Sequence, residues 1–131
     1  MHTTGYLNKL IAPSEDCAAV AKLTAKVGSV AALQYEMLSD AYAMTGDELL
    51  LAVTGVRRDV PRDEWDALHI ELFSKGQPCL RASPLVKTHG WAVHYDAQGR
   101  IAMVDPSSQR FAELSTDAGI TQLRGMRSKR A

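Results

Sequence analysis

Five residues, Asp96-Ala97-Gln98-Gly99-Arg100, stand between the apolar runs WAVHY (91–95) and IAMV (101–104), and they restrict the fold more than any other stretch. The pattern fits a type I turn followed by a glycine in the left-handed region, the three-residue hairpin loop. Such a loop sets the register: Asp96 opposes Arg100, Tyr95 opposes Ile101, and Val93 opposes Met103. Strand alternation then gathers Trp91, Val93, Tyr95, Ile101 and Met103 on one apolar face. Ala92, His94, Asp96, Arg100, Ala102 and Val104 fall on the other, which is small and partly polar. The expectation is a dry tryptophan face and an imidazole face open to solvent or ligand, with an Asp96/Arg100 side-chain pair helping to set the turn.

The remaining segments read as follows. Residues 6–12, YLNKLIA, are extended and end at Pro13. The alanine-rich run 18–27 has helix propensity. Ser29 can cap a helix over about 30–39, where Val30, Leu33, Met37 and Leu38 recur at helical spacing. Residues 48–56, ELLLAVTGV, have the length and aliphatic content of a buried strand. From Asp63, which can cap it, a helix runs to about 75. Its stripe of Trp65, Leu68, His69, Leu72 and Phe73 is apolar, so His69 reads as a packed, hydrogen-bonded histidine rather than a ligand. Beyond Pro106, residues 107–114 and 117–126 read as two short helices. The expected fold class is α+β: a single domain with an antiparallel sheet (strands near 6–12, 48–56, 91–95 and 100–104) covered on one side by the helices near 30–39 and 63–75.

Length and composition agree with one globular unit. The chain has 131 residues, 46% hydrophobic and 23% charged, which fits neither a disordered nor a coiled-coil chain. Its longest apolar runs are far short of the roughly 20 residues that span a bilayer, and the N-terminus has no secretory-signal pattern. Cys17 and Cys79 do not make a disulfide framework, so reduced thiols in a cytoplasm are expected. No glycine-rich phosphate loop or dinucleotide fingerprint is present, and no cofactor is expected. The cysteines and histidines lack metal-ligand spacing, so no metal site is expected.

The formal net charge is zero, which argues against nucleic acid as a partner. It conceals an asymmetry. Residues 1–74 carry six Lys/Arg against eleven Asp/Glu, net −5, and residues 75–131 carry nine against four, net +5. Either the halves attract one another, within the fold or between subunits, or the basic half presents an anion site.

The segment Cys79-Leu80-Arg81-Ala82-Ser83-Pro84 bears on that choice. If it is extended, Cys79, Arg81 and Ser83 share a face. Arg81 is then a bidentate clamp for an anion, Lys87 a point charge, and His94 a pH-sensitive donor, with His89 also near in sequence. Alternatively a neighbouring cation favours the Cys79 thiolate and makes it a nucleophile, with His94 or His89 as base.

Several strings resemble a family of small bacterial proteins of uncharacterised function: the MHTT start with Tyr6, Glu15-Asp16-Cys17, LQYEML at 33–38, FSKGQPCLRASPL at 73–85, Gly90-Trp91 and MRSKR at 126–130. The likeness covers nearly the whole chain. Residues 18–28 depart from it, since the family pattern implies a proline-containing loop there. The resemblance brings no activity, cofactor or catalytic residue. The functional expectation is therefore a small binding module whose basic surface around Arg81, Ser83, Lys87 and His94 engages a small anion or an acidic protein surface. A thiol-dependent enzyme using Cys79 and an oligomeric protein joined through its opposite-charge halves are the alternatives.

Overall fold

A computed structural model describes residues 6–14, 27–77, 80–87 and 89–125. Four strands form one sheet: β1 (Lys9–Ala12), β2 (Ala92–Tyr95), β3 (Ile101–Val104) and β4 (Thr121–Arg124), in the spatial order β3-β2-β1-β4. Among the described residues five α-helices accompany them: α1 (Val30–Leu38), α2 (Gly46–Arg57), α3 (Trp65–Leu72), α4 (Pro84–Lys87) and α5 (Gln109–Ser115). Single 3-10 turns at Arg62–Glu64 and Leu80–Ala82 precede α3 and α4. No helix among the described residues is long and apolar enough to cross a membrane.

The hairpin forms in the expected register, with Tyr95 opposite Ile101 and Val93 opposite Met103. Gly99 lies at φ +80°, where a side chain would be strained. The Asp96 carboxylate does not pair with the Arg100 guanidinium. Its Oδ1 accepts the backbone N–H groups of Gln98 and Arg100, each at 2.9 Å, so the Asp96 side chain holds the turn through the backbone and not through the Arg100 side chain.

Two expected elements change type. Residues 48–56 lie in helix α2. The signal is Thr45-x-x-Glu48: the Thr45 hydroxyl accepts the Glu48 N–H and the Glu48 carboxylate accepts the Thr45 N–H, a reciprocal cap that starts a helix. The aliphatic run then falls at helical spacing, Leu49 and Val53 inward, with Arg57 in the last turn. Gly55 is buried where a Cβ would come within 2.5 Å of the Trp65 ring, so the glycine lets α2 meet the start of α3. Residues 117–126, expected as a helix, contain β4. The Asp117 carboxylate accepts the Gly119 N–H, which turns the chain after α5, and Thr121–Arg124 pairs parallel to β1. The sheet is therefore mixed rather than wholly antiparallel. The expected helix over 18–27 lies almost wholly outside the described residues, with Val27 in a turn.

Both faces of the sheet are covered. On one, Ile11, Val93, Tyr95 and Ile101 pack with Leu38, Leu49, Val53, Leu85 and Val86. Trp91 joins this face, its ring set edgewise against Tyr35. On the other, Leu10, Ala92 and Val104 meet Leu114 and Phe111 of α5 and Ile120 beyond it. The expected coverage on one side therefore fails, because the alternate face is apolar enough to bury a second helix. The helix near 63–75 is present but does not lie on the sheet. Leu68, Leu72 and Phe73 cluster with Leu50, Leu51 and Val60, so α3 packs on α2. His69 is half-buried against Phe73 at 4.8 Å between ring centroids, and its ring has no hydrogen bond among the described residues. Asp63 makes no capping bond.

Candidate functional site

Between α1, α2 and the 80–84 segment lies a cleft of about 370 Å³. That is within the size range of small-molecule sites. Its walls are Val30 from α1, Leu49, Leu50 and Val53 from α2, and Leu80, Ala82 and Pro84 opposite. Gly46 and Thr54 complete the α2 side, and Arg57 and Arg58 stand at its end.

Two polar side chains, Gln34 and Ser83, are buried in this apolar lining, 8% and 6% exposed. They are joined. The Ser83 hydroxyl accepts the Leu85 N–H at 3.1 Å and donates to Gln34 Oε1 at 2.6 Å. The bonds run in one direction, from backbone through hydroxyl to amide oxygen, and this orients the amide. Gln34 Nε2 has no partner among the described residues, so a buried residue keeps two N–H donors for whatever the cleft holds. The nitrogen is not sealed from water: it opens on the cleft, so a ligand oxygen there would replace solvent as its acceptor. At the mouth, Arg58 pairs loosely with Glu71 at 3.4 Å across exposed side chains, while Arg57 has no partner among the described residues. Arg57 also sits at the end of α2, where the helix dipole favours a cation.

The residues expected from sequence are distributed differently. Arg81 and Ser83 do not share an extended face, because Leu80–Ala82 is a 3-10 turn. Ser83 turns inward to Gln34, and Arg81 is half-exposed, its Nε donating to the Arg124 carbonyl at 2.6 Å. Lys87 ends α4, half-buried, and His89 follows with its N–H on the Pro84 carbonyl. Cys79 lies outside the described residues. Of the expected residues that are described, the cleft takes only Ser83. Among the described residues no three His, Cys, Asp or Glu side chains are grouped as a metal site.

His94 differs from expectation. Its face of the hairpin is not open: the residue is 7% exposed, with its ring against Tyr42 and beside Arg110. The Tyr42 hydroxyl lies 2.7 Å from His94 Nδ1, and Arg110 Nη2 reaches the same hydroxyl at 3.4 Å. Burial first, then the Arg110 charge, lowers the His94 pKa from its ordinary value, against the opposing pull of Asp96 and Asp117. The same hydroxyl raises the Arg110 pKa.

Gln34, Arg57 and Tyr42 were not singled out from sequence. The reciprocal Thr45/Glu48 cap is the signal that turns Arg57 toward the cleft. Nothing local marks Gln34 or Tyr42, because their roles depend on Ser83 and His94, far away in the chain.

These features define an α+β protein with a mixed four-stranded sheet and an apolar cleft whose polar floor comes from two buried side chains. The chain belongs to a family of unknown function, DUF6157, whose model matches residues 1–131. No curated protein and no solved structure matches it.

Proposed function

We propose that this protein is a small-molecule-binding module whose ligand is a compact carboxylate with an apolar body, taken into the cleft between α1 and α2. The observation that carries this reading is the Gln34 amide: its oxygen is held by Ser83, and its nitrogen is left without a partner among the described residues in a cleft whose walls are mostly aliphatic. An oxygen of the ligand accepts from Gln34 Nε2, its hydrocarbon part lies against Leu49, Leu50, Val53 and Leu80, and Arg57 supplies the charge at the mouth. Charge-assisted hydrogen bonds of this kind are the stronger class. The cation in this reading comes from α2, in the acidic half of the chain, and not from the basic half on which the sequence expectation rested. Arg81, Lys87 and His94 lie outside the lining.

The test is calorimetric titration with hexanoate, benzoate and phenylacetate, each beside its neutral primary amide. The expected result is saturable binding of at least one carboxylate, weakened about tenfold or more by Gln34→Leu and by Arg57→Gln, since loss of a hydrogen bond to a charged group costs about 1.5–3 kcal/mol. Equal affinity for acid and amide would remove the charge from the reading. Binding unaffected by Gln34→Leu would remove the cleft.

A further inference from the structure

Residues 39–45 join the two helices that wall the cleft, and this connection is fastened to the outer edge of the sheet. The Tyr42 N–H donates to the Ile101 carbonyl at 2.8 Å, the Ile101 N–H donates to the Met44 carbonyl at 2.9 Å, and Thr45 forms an antiparallel bridge with Arg100. Among the described residues, the one side-chain fastening of Tyr42 that reaches the sheet is its hydroxyl on His94. Tyr42 itself lies at φ +59°, a conformation that is unusual for a bulky side chain and persists only where the surroundings impose it.

The chemistry of that contact sets its sensitivity. Arg110 can only donate to the Tyr42 oxygen, which leaves the hydroxyl hydrogen available to His94 Nδ1; the arrangement that uses it is the neutral imidazole with its proton on Nε2. The groups facing His94 are Tyr42 from the α1–α2 connection, Arg110 from α5, Asp96 from the hairpin turn and Asp117 from the turn before β4. On the neighbouring strand Leu10 is its register partner.

We propose that the Tyr42–His94 hydrogen bond is an acid-sensitive latch that holds residues 39–45, and with them the first turn of α2, against the sheet. When a solvent proton binds Nδ1, the ring becomes a donor there. The Tyr42 hydroxyl then has donors on two sides and must turn its own hydrogen away from His94 to solvent, and a second cation stands beside Arg110. The strained backbone at Tyr42 loses the contact that offset it. Gly46 and Leu49, which lie in the first turns of α2, line the cleft, so opening the latch changes the cleft wall. This inference goes beyond the binding reading and stands without it.

The test follows the His94 ring by NMR titration while hydrogen exchange measures protection of the Tyr42 and Ile101 amides, with Gly125, bonded to Ala12 at the far edge, as the internal control. Protection factors at Tyr42 and Ile101 should fall about tenfold or more as His94 protonates, while Gly125 holds. His94→Asn, an acceptor that does not titrate, should abolish the step. Tyr42→Phe should leave those amides weakly protected at every pH and return the His94 titration toward its ordinary value. Constant protection through the His94 midpoint, or the same step in Tyr42→Phe, overturns the latch. No ligand is used, so the outcome is independent of what the cleft binds.

Discussion

Replacing Ser83 with alanine removes one oxygen that serves two buried groups. The Leu85 N–H loses its acceptor at 3.1 Å, and Gln34 Oε1 loses its donor at 2.6 Å. Each buried polar group left unpaired costs about 1–3 kcal/mol. Gln34 borders the cleft, where water can reach it, so its share falls at the low end. The Leu85 N–H belongs to a fully buried residue and takes the larger share. Together these give about 2–4 kcal/mol, a large part of the roughly 5–15 kcal/mol that holds a domain folded. Urea unfolding should show this as a midpoint lowered by about 1–2 M with unchanged slope. Adding Gln34→Met to Ser83→Ala removes the orphaned amide, so the double variant should be less destabilised than the sum of the singles by about 1–2 kcal/mol. A Ser83→Ala cost below about 0.5 kcal/mol, with additive singles, would refute the linked floor of the cleft.

Other consequences are equally direct. Gly55→Ala should destabilise by about 1–3 kcal/mol in thermal unfolding, despite alanine's better helix propensity, because its methyl group would overlap the Trp65 ring. Thr45→Ala should cost about 0.5–2 kcal/mol through loss of the reciprocal cap, and Glu48→Gln, which can still accept the Thr45 N–H, should cost less. Because the folded protein holds the His94 pKa below its ordinary value near 6.5, the unfolded chain binds the proton more readily. Stability from this group is complete above that value and falls as pH drops toward the folded pKa, and His94→Asn should flatten that part of a pH series of urea midpoints. Asp105, whose pKa is lowered by the Ser107 N–H and then its hydroxyl, acts only in the more acidic carboxylate range, so the two steps separate.

The hairpin was legible in the sequence because its turn chemistry and its apolar alternation give the same register. Helix α1 was legible for a similar reason, with Ser29 as cap and helical spacing behind it. Residues 48–56 misled because a short aliphatic run looks alike in a buried strand and a buried helix, and the deciding information lay just upstream in Thr45 and Glu48. β4 was hidden because its four residues have mostly exposed side chains, and its place is set by pairing with β1 more than a hundred residues earlier. The candidate site divides in the same way. Ser83 was singled out from its neighbours, but its burial follows from the 3-10 turn at 80–82 and from Gln34 on another helix. His94 was assigned to the correct face, but α5 and Tyr42 close that face, and local alternation carries no information about what packs on it.

The most direct measurement for the cleft is the side-chain amide signal of Gln34 in a ¹⁵N-labelled sample titrated with benzoate. The binding reading predicts a saturable shift of the Gln34 NH₂ resonances, accompanied by the Leu49, Val53 and Thr54 amides and lost in Arg57→Gln at the same concentrations. A titration that moves only residues on the exposed surface, with the Gln34 signals unchanged, would contradict it.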